Sequence, residues 1–340
     1  MSVRSVNIPK AQRLLALASL IVGAVFILAL PAFGGGYWVY VVQLVGINVV
    51  LALGLNIFFG FCGQINLASA AFYAMGAYSY VLLQQKLGIP FLLALPLTLA
   101  FCALVTLLLS EVLLRLRHFT LALGSIAIGL TVYLVADRWY ELTGGGDGVS
   151  MPASSLFGIE LGDKFAYYMI LVVAVVCYLI AHFLAPSKIG RAMKAIRDDE
   201  TAALAMGINV HGTMRLAFLL NGMFCGVAGI LTAQQNQWIS PSVFNVWVNI
   251  LVVVMVIVGG LGSNPGVVIG AAVVTILPLQ FSGLAEYSGL AFGVIVFLVV
   301  LFMPQGIIGL REAIPSLLSR INSRLSLGRV STTPGESGED

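Results

Sequence analysis

The chain has 340 residues, 60% of them hydrophobic and only 9% charged, with a formal net charge of +3. A soluble domain normally carries about 25% charged residues, because its surface must face water. No soluble core could absorb this surplus of apolar surface, so lipid is the natural solvent for most side chains.

A membrane span needs about 20 mostly apolar residues to cross about 30 Å of hydrocarbon. By that rule ten spans are predicted in chain order, roughly at 14–33, 38–60, 66–83, 90–110, 119–138, 165–184, 216–234, 246–261, 267–281 and 290–309. The first follows Arg4, Lys10 and Arg13 but is too long for the apolar part of a secretory signal, so it reads as a retained helix. The eighth and ninth are short, and so are expected to be tilted, broken or partly re-entrant. The fold class is therefore all-α, a polytopic membrane protein. It divides into an N-terminal segment at 1–13, a membrane domain at 14–310 and a C-terminal segment at 311–340.

Ten spans put both termini on one side. Fourteen of the 17 lysines and arginines fall on that side, leaving only Lys86, Arg138 and Lys164 opposite. Basic residues stay in the cytoplasm, so both ends are placed there. The two longest connections are the outer 139–164 and the inner 185–215. The outer one, with Gly144-Gly145-Gly146-Asp147-Gly148, reads on composition as a flexible solvated loop, or else as a docking or gating loop. Residues 311–328 space Ile314, Leu317, Leu318, Ile321 and Leu325 as a basic amphipathic helix on the inner leaflet, and 331–340 read as a disordered tail.

The interiors of the spans hold no Asp, Glu, Lys or Arg. This counts against a proton-driven carrier and against an intramembrane enzyme, both of which need ionisable groups at membrane depth. Cys62, Cys102, Cys177 and Cys225 have no metal-ligand spacing and read as small hydrophobes; no metal site is expected. The sequence also lacks a G-x-x-x-x-G-K-[ST] phosphate loop, so no catalytic residues and no cofactor are assigned to this chain. Polar and small residues do gather at the second and third spans, at Asn48, Asn56, Gly60, Gly63, Gln64, Asn66, Ser69 and Gly76. Two readings stay open for the amides: glue between helices, or the lining of a translocation pathway. Gly60-Phe61-Cys62-Gly63 should break the helix, whereas Gly222/Gly226 and Gly262/Gly266/Gly270 have the spacing of close helix packing.

The inner loop contains a short helix. Asp198 or Asp199 can cap it, Glu200 suits its positive end, Ala202 to Met206 favour it and Gly207 supplies a left-handed stop. Such a helix, with a small apolar face, is a handle that a separate ATPase could grip.

Several stretches resemble the branched-chain amino acid ABC transporter permeases. They are Gly54-Leu55-Asn56, then Gly63-Gln64-Ile65-Asn66-Leu67-Ala68-Ser69-Ala70-Ala71-Phe72, and the Gly190–Asn209 and Gly259–Gly270 regions. Leu142-Thr143-Gly144-Gly145-Gly146-Asp147-Gly148 is similar to the M-type subunit rather than its H-type partner. The resemblance implies an importer of leucine, isoleucine or valine in the bacterial cytoplasmic membrane. It implies an H-type permease, two ATP-binding subunits that use ATP and magnesium, and an extracytoplasmic binding protein as partners; no nucleic acid is expected. Relatives of similar pattern carry urea, short amides or aromatic acids. The inner loop is similar to the E-A-A-x-x-x-G coupling motif, with Thr201 at the Glu position and Glu200 one residue earlier. Arg191, Arg197, Asp199, Glu200, Ala202, Ala203 and Gly207 are thereby candidates for coupling to an ATPase. Asn48, Asn56, Gln64, Asn66 and Ser69 are candidates for the pathway. Two rivals remain: a sodium-coupled secondary carrier and a passive channel or structural subunit.

Overall fold

Apolar runs in lipid must satisfy their own backbone groups, and helices do so within one segment. The computed structural model describes residues 28–31, 35–116, 118–151, 155–156, 159–160, 162–280 and 293. The membrane helices are α1 (Gly36–Leu55), α2 (Ser69–Gln85), α3 (Phe91–Leu113) and α4 (His118–Arg138). After a short α5 (Tyr140–Thr143) come α6 (Asp163–Leu184), the loop helices α7 (Lys188–Asp198) and α8 (Glu200–Ala205), and α9 (Val210–Asn236). A last pair, α10 (Val246–Gly259) and α11 (Asn264–Gln280), closes the described chain. Among the described residues five helices, one of them α1 with its continuation to Phe61, are long and apolar enough to cross a membrane. The chain is a multi-pass helical membrane protein. Eight of the ten expected spans coincide with helices, α2, α10 and α11 being shorter than the rest. The expected N-terminal segment, most of the first span, the tenth span, the amphipathic segment and the tail lie outside the described residues.

Burial sorts the helices into an inside and a rim. In α1 and α9, 78% and 72% of the most apolar window is buried, against 22% in α3, α4 and α6. The rim helices turn Leu104, Leu108, Phe119, Val172 and Phe183 outward, as a lipid-facing surface must. At the centre, Phe218 of α9 meets Phe58 and Phe72 edge-to-face, at centroid distances of 5.3 and 5.5 Å.

Lipid gives apolar helices no hydrophobic reason to associate, so close backbone approach takes over. A Cβ at Gly76 of α2 would stand 2.3 Å from the carbonyl oxygen of Gly226, and one at Gly229 would stand 2.3 Å from that of Tyr73. Gly222 meets Thr106 of α3 with the same closeness. The spacing of Gly222 and Gly226 thus does what the sequence suggests. Of the second series, Gly266 and Gly270 pack on Gly259 of α10. Gly262 is a correction: it lies in the turn between α10 and α11 with φ +81°, not on a packed helix face.

The outer loop also departs from its composition. Read as flexible and solvated, the 139–151 part is instead folded. Thr143 is buried and donates to the Ala136 and Trp139 carbonyls. Gly144, Gly145 and Gly148 all have positive φ, and β1 (Val149–Ser150) pairs antiparallel with β4 (Trp238–Ile239). The glycines there make a tight cap rather than slack. Separately, β2 (Ser155–Leu156) pairs antiparallel with β3 (Ile159–Glu160).

Candidate functional site: the basic loop and the polar seam

The loop between α6 and α9 is built by capping. Ser187 accepts from the Gly190 amide at 3.1 Å and donates to the Leu184 carbonyl at 2.7 Å, which turns the chain sharply from α6 into α7. A Cβ at Gly190 would lie 2.1 Å from the Leu184 oxygen, so the turn tolerates nothing larger. The carbonyls just past the end of α6 then receive cations from α7: Arg191 donates to Pro186 at 2.6 Å and Lys194 to Ala185 at 3.3 Å. Arg191 is therefore engaged within its own loop.

The expected cap of α8 is present. One Asp199 carboxylate oxygen accepts from the Thr201 and Ala202 amides at 2.8 and 3.0 Å. Gly207, at φ +80°, ends the helix, and the Ile208 amide reaches back to the Ala203 carbonyl. The apolar face falls differently from the sequence reading. Ala203 is buried within this chain, against Ile196, Val210 and Met214. The outward residues are Leu204, 56% exposed, and Met206, 83% exposed. Thr201 and Glu200 line a cavity of about 430 Å³ together with Gln64, Arg115 and Met214. Two separated groups of candidate residues thus share one space. Arg215, at the start of α9, pairs with Glu111 of α3 at 2.7 Å and fixes the loop's exit.

The polar residues of α1 and α2 form a seam. Asn48 donates to Thr275 of α11 at 2.8 Å. Asn56 is fully buried and used on both sides of its amide: it donates to Asn264 at 3.0 Å and accepts from the Gly262 amide at 2.9 Å. Asn56 opens a π-helical turn, Asn56–Phe61, after which Cys62 ends the helix and residues 63–68 run without regular structure. That matches the break expected at Gly60 to Gly63. The Asn66 side chain accepts from the Ala68 amide at 2.9 Å, and Ser69 begins α2, buried. Asn249 of α10 accepts from the Ala70 amide at 2.8 Å and Ser125 of α4 from the Leu67 amide at 2.9 Å. The side-chain nitrogens of Asn66 and Asn249 are buried without a protein partner. Asn249, Asn264, Ser125 and Thr275 were missed from sequence. The signal was the same as for Asn56, an amide or hydroxyl within or beside an apolar run. Among the described residues no group of His, Cys, Asp or Glu could hold a metal ion.

A helical membrane bundle with an inward seam of amides and a capped loop on its basic side can conduct and be driven. Residues 37–304 match the family described as the branched-chain amino acid transport system / permease component. The chain belongs to this permease family. It is 30% identical over 287 residues to the high-affinity branched-chain amino acid transport system permease protein LivM of Escherichia coli, covering 77% of this chain and 68% of that one. It is 27% identical over 291 residues to BraD of Pseudomonas aeruginosa, a permease protein of the same description, covering 77% and 92%. LivH of Escherichia coli is also 27% identical, over 290 residues, covering 77% and 91%. These relatives are transport permeases, not enzymes. No solved structure matches the chain.

Proposed function

We propose that this permease forms half of the translocation pathway of an ATP-driven importer, taking up leucine, isoleucine or valine across the bacterial inner membrane. An H-type permease completes the pore, two cytoplasmic subunits hydrolyse ATP, and a binding protein delivers cargo from outside. Both termini lie in the cytoplasm. The observation that carries this reading is α8, a capped helix on the basic side that leaves Leu204 and Met206 exposed. The chain has no phosphate loop, so an energy source must dock from outside, and this face is suited to receive it. The family and the relatives' names support the cargo.

The test is reconstitution of this chain with its partner permease, ATPases and binding protein in vesicles. Labelled leucine should accumulate only with ATP inside and only with every subunit present. Uptake by this chain alone, driven by a sodium gradient without ATP, would replace the reading with a secondary carrier. Uptake of urea or short amides in place of leucine would move the cargo while keeping the machine.

A further inference from the structure

Three elements meet at the π turn. On α7, Lys194 and Arg197 lie three residues apart and so project from one face. The Arg197 guanidinium donates through Nη1 to the Gly60 carbonyl at 2.5 Å, and the Lys194 ammonium sits over the Phe61 ring at 5.3 Å. Gly63, at φ +73°, brings its backbone against the Arg197 stem, where a Cβ would stand 3.0 Å from Cγ. Asn56 in turn binds the Gly262 amide and Asn264, where the turn after α10 enters α11, and a Cβ at Gly262 would stand 3.1 Å from Arg197 Nη1. Gly60 lies between the two: a Cβ there would be 2.0 Å from Asn56 Oδ1 and 2.7 Å from the Gly262 nitrogen.

A π turn is a weak place in a helix. Its extra residue per turn leaves carbonyls poorly paired, and such turns gather at functional sites. Here a loose Gly60 carbonyl is bound by a cation from the loop that carries α8. We infer that Arg197, assisted by Lys194, is the positioning residue that transmits movement of the loop to the pore. It pulls on the π turn of α1, and through Asn56 on the α10–α11 turn. Arg197 is thus a link between loop and pore rather than part of the ATPase footprint. This rests on the coupling role proposed for α8.

The complete transporter in vesicles tests it with Arg197→Ala, Arg197→Lys and Lys194→Ala. The ATPases should stay bound to Arg197→Ala, and binding-protein-stimulated ATP hydrolysis should persist, while uptake per ATP falls about tenfold. Arg197→Lys keeps one donor to the Gly60 carbonyl and should recover part of that loss, which a purely structural role would not show. Lys194→Ala should show the same loss, but smaller. Normal uptake by Arg197→Ala with the ATPases bound overturns the inference and leaves the role of α8 standing. Loss of the ATPases, or hydrolysis falling in step with uptake, also overturns it, because Arg197 would then belong to the docking face. Should Arg197→Ala fail to reach the membrane, the other two variants decide, and unimpaired uptake in both overturns it. Wild-type uptake that needs no ATP would instead remove the reading on which the inference depends.

Discussion

Gly60 shows how one missing methyl fixes a junction. The Asn56 side chain folds back over it to reach Gly262, and the space between is smaller than a Cβ. One obstacle is a side-chain oxygen, but the other is backbone and cannot rotate away. Gly60→Ala is therefore expected to cost about 1–3 kcal/mol, the usual scale of overpacking. It should lower the melting temperature of the purified complex and reduce uptake. A variant that melts and transports like the parent would show that the junction is looser than its geometry. The buried amides carry a related lesson. Asn48 and Asn56 tie α1 to the last described helix pair, through partners that cannot turn to water instead.

At the scale of elements, the short helix α8 was the most legible part of the sequence, whereas the α7 helix before it was not expected. The Asp199 cap and the Gly207 stop are local chemistry, decided within a few residues, and both form as the residues dictate. Span positions were legible for the same reason, since apolar length is a local property. The outer loop was not. Its glycines signal slack by composition, yet their positive φ values serve a cap whose partner strand, Trp238–Ile239, lies about 90 residues away along the chain. Which face of α8 turns outward was hidden too, because it depends on Ile196 and Met214 from neighbouring helices. That distinction yields a prediction. Leu204→Glu and Met206→Glu place charge on the exposed face and should each weaken ATPase binding about tenfold or more, measured by co-purification, with the permease stable. Ala203→Glu places the charge inside the loop's own core and should unfold the loop, seen as faster proteolysis of the 187–209 region. Equal behaviour of all three would erase the assigned faces.

The whole molecule is oriented by its charges. The folded outer loop and the α7–α8 loop follow opposite ends of membrane helices, and in the proposed topology the second, which carries the basic excess, is the cytoplasmic one. All four native cysteines are buried, which leaves a quiet background for labelling. Gly146→Cys should react with an impermeant maleimide in intact cells, whereas Thr201→Cys should react only after permeabilisation. The reverse pattern would invert the protein in the membrane.

The glycine crossing of α2 and α9 has a mechanical consequence. Where Gly76, Gly226 and Gly229 meet, the two helices touch backbone to backbone. Meshed side chains act as teeth and hold a pair of helices in one of a few discrete registers. Bare backbone has no teeth, and glycine has no rotamers to freeze or release when the register changes. The crossing therefore behaves as a smooth bearing at the centre of the bundle. Small slides between α2 and α9 meet little friction at the glycines, so resistance to motion is carried by the side-chain pairs beside them, Phe72 with Phe218 and Tyr73 with Thr232.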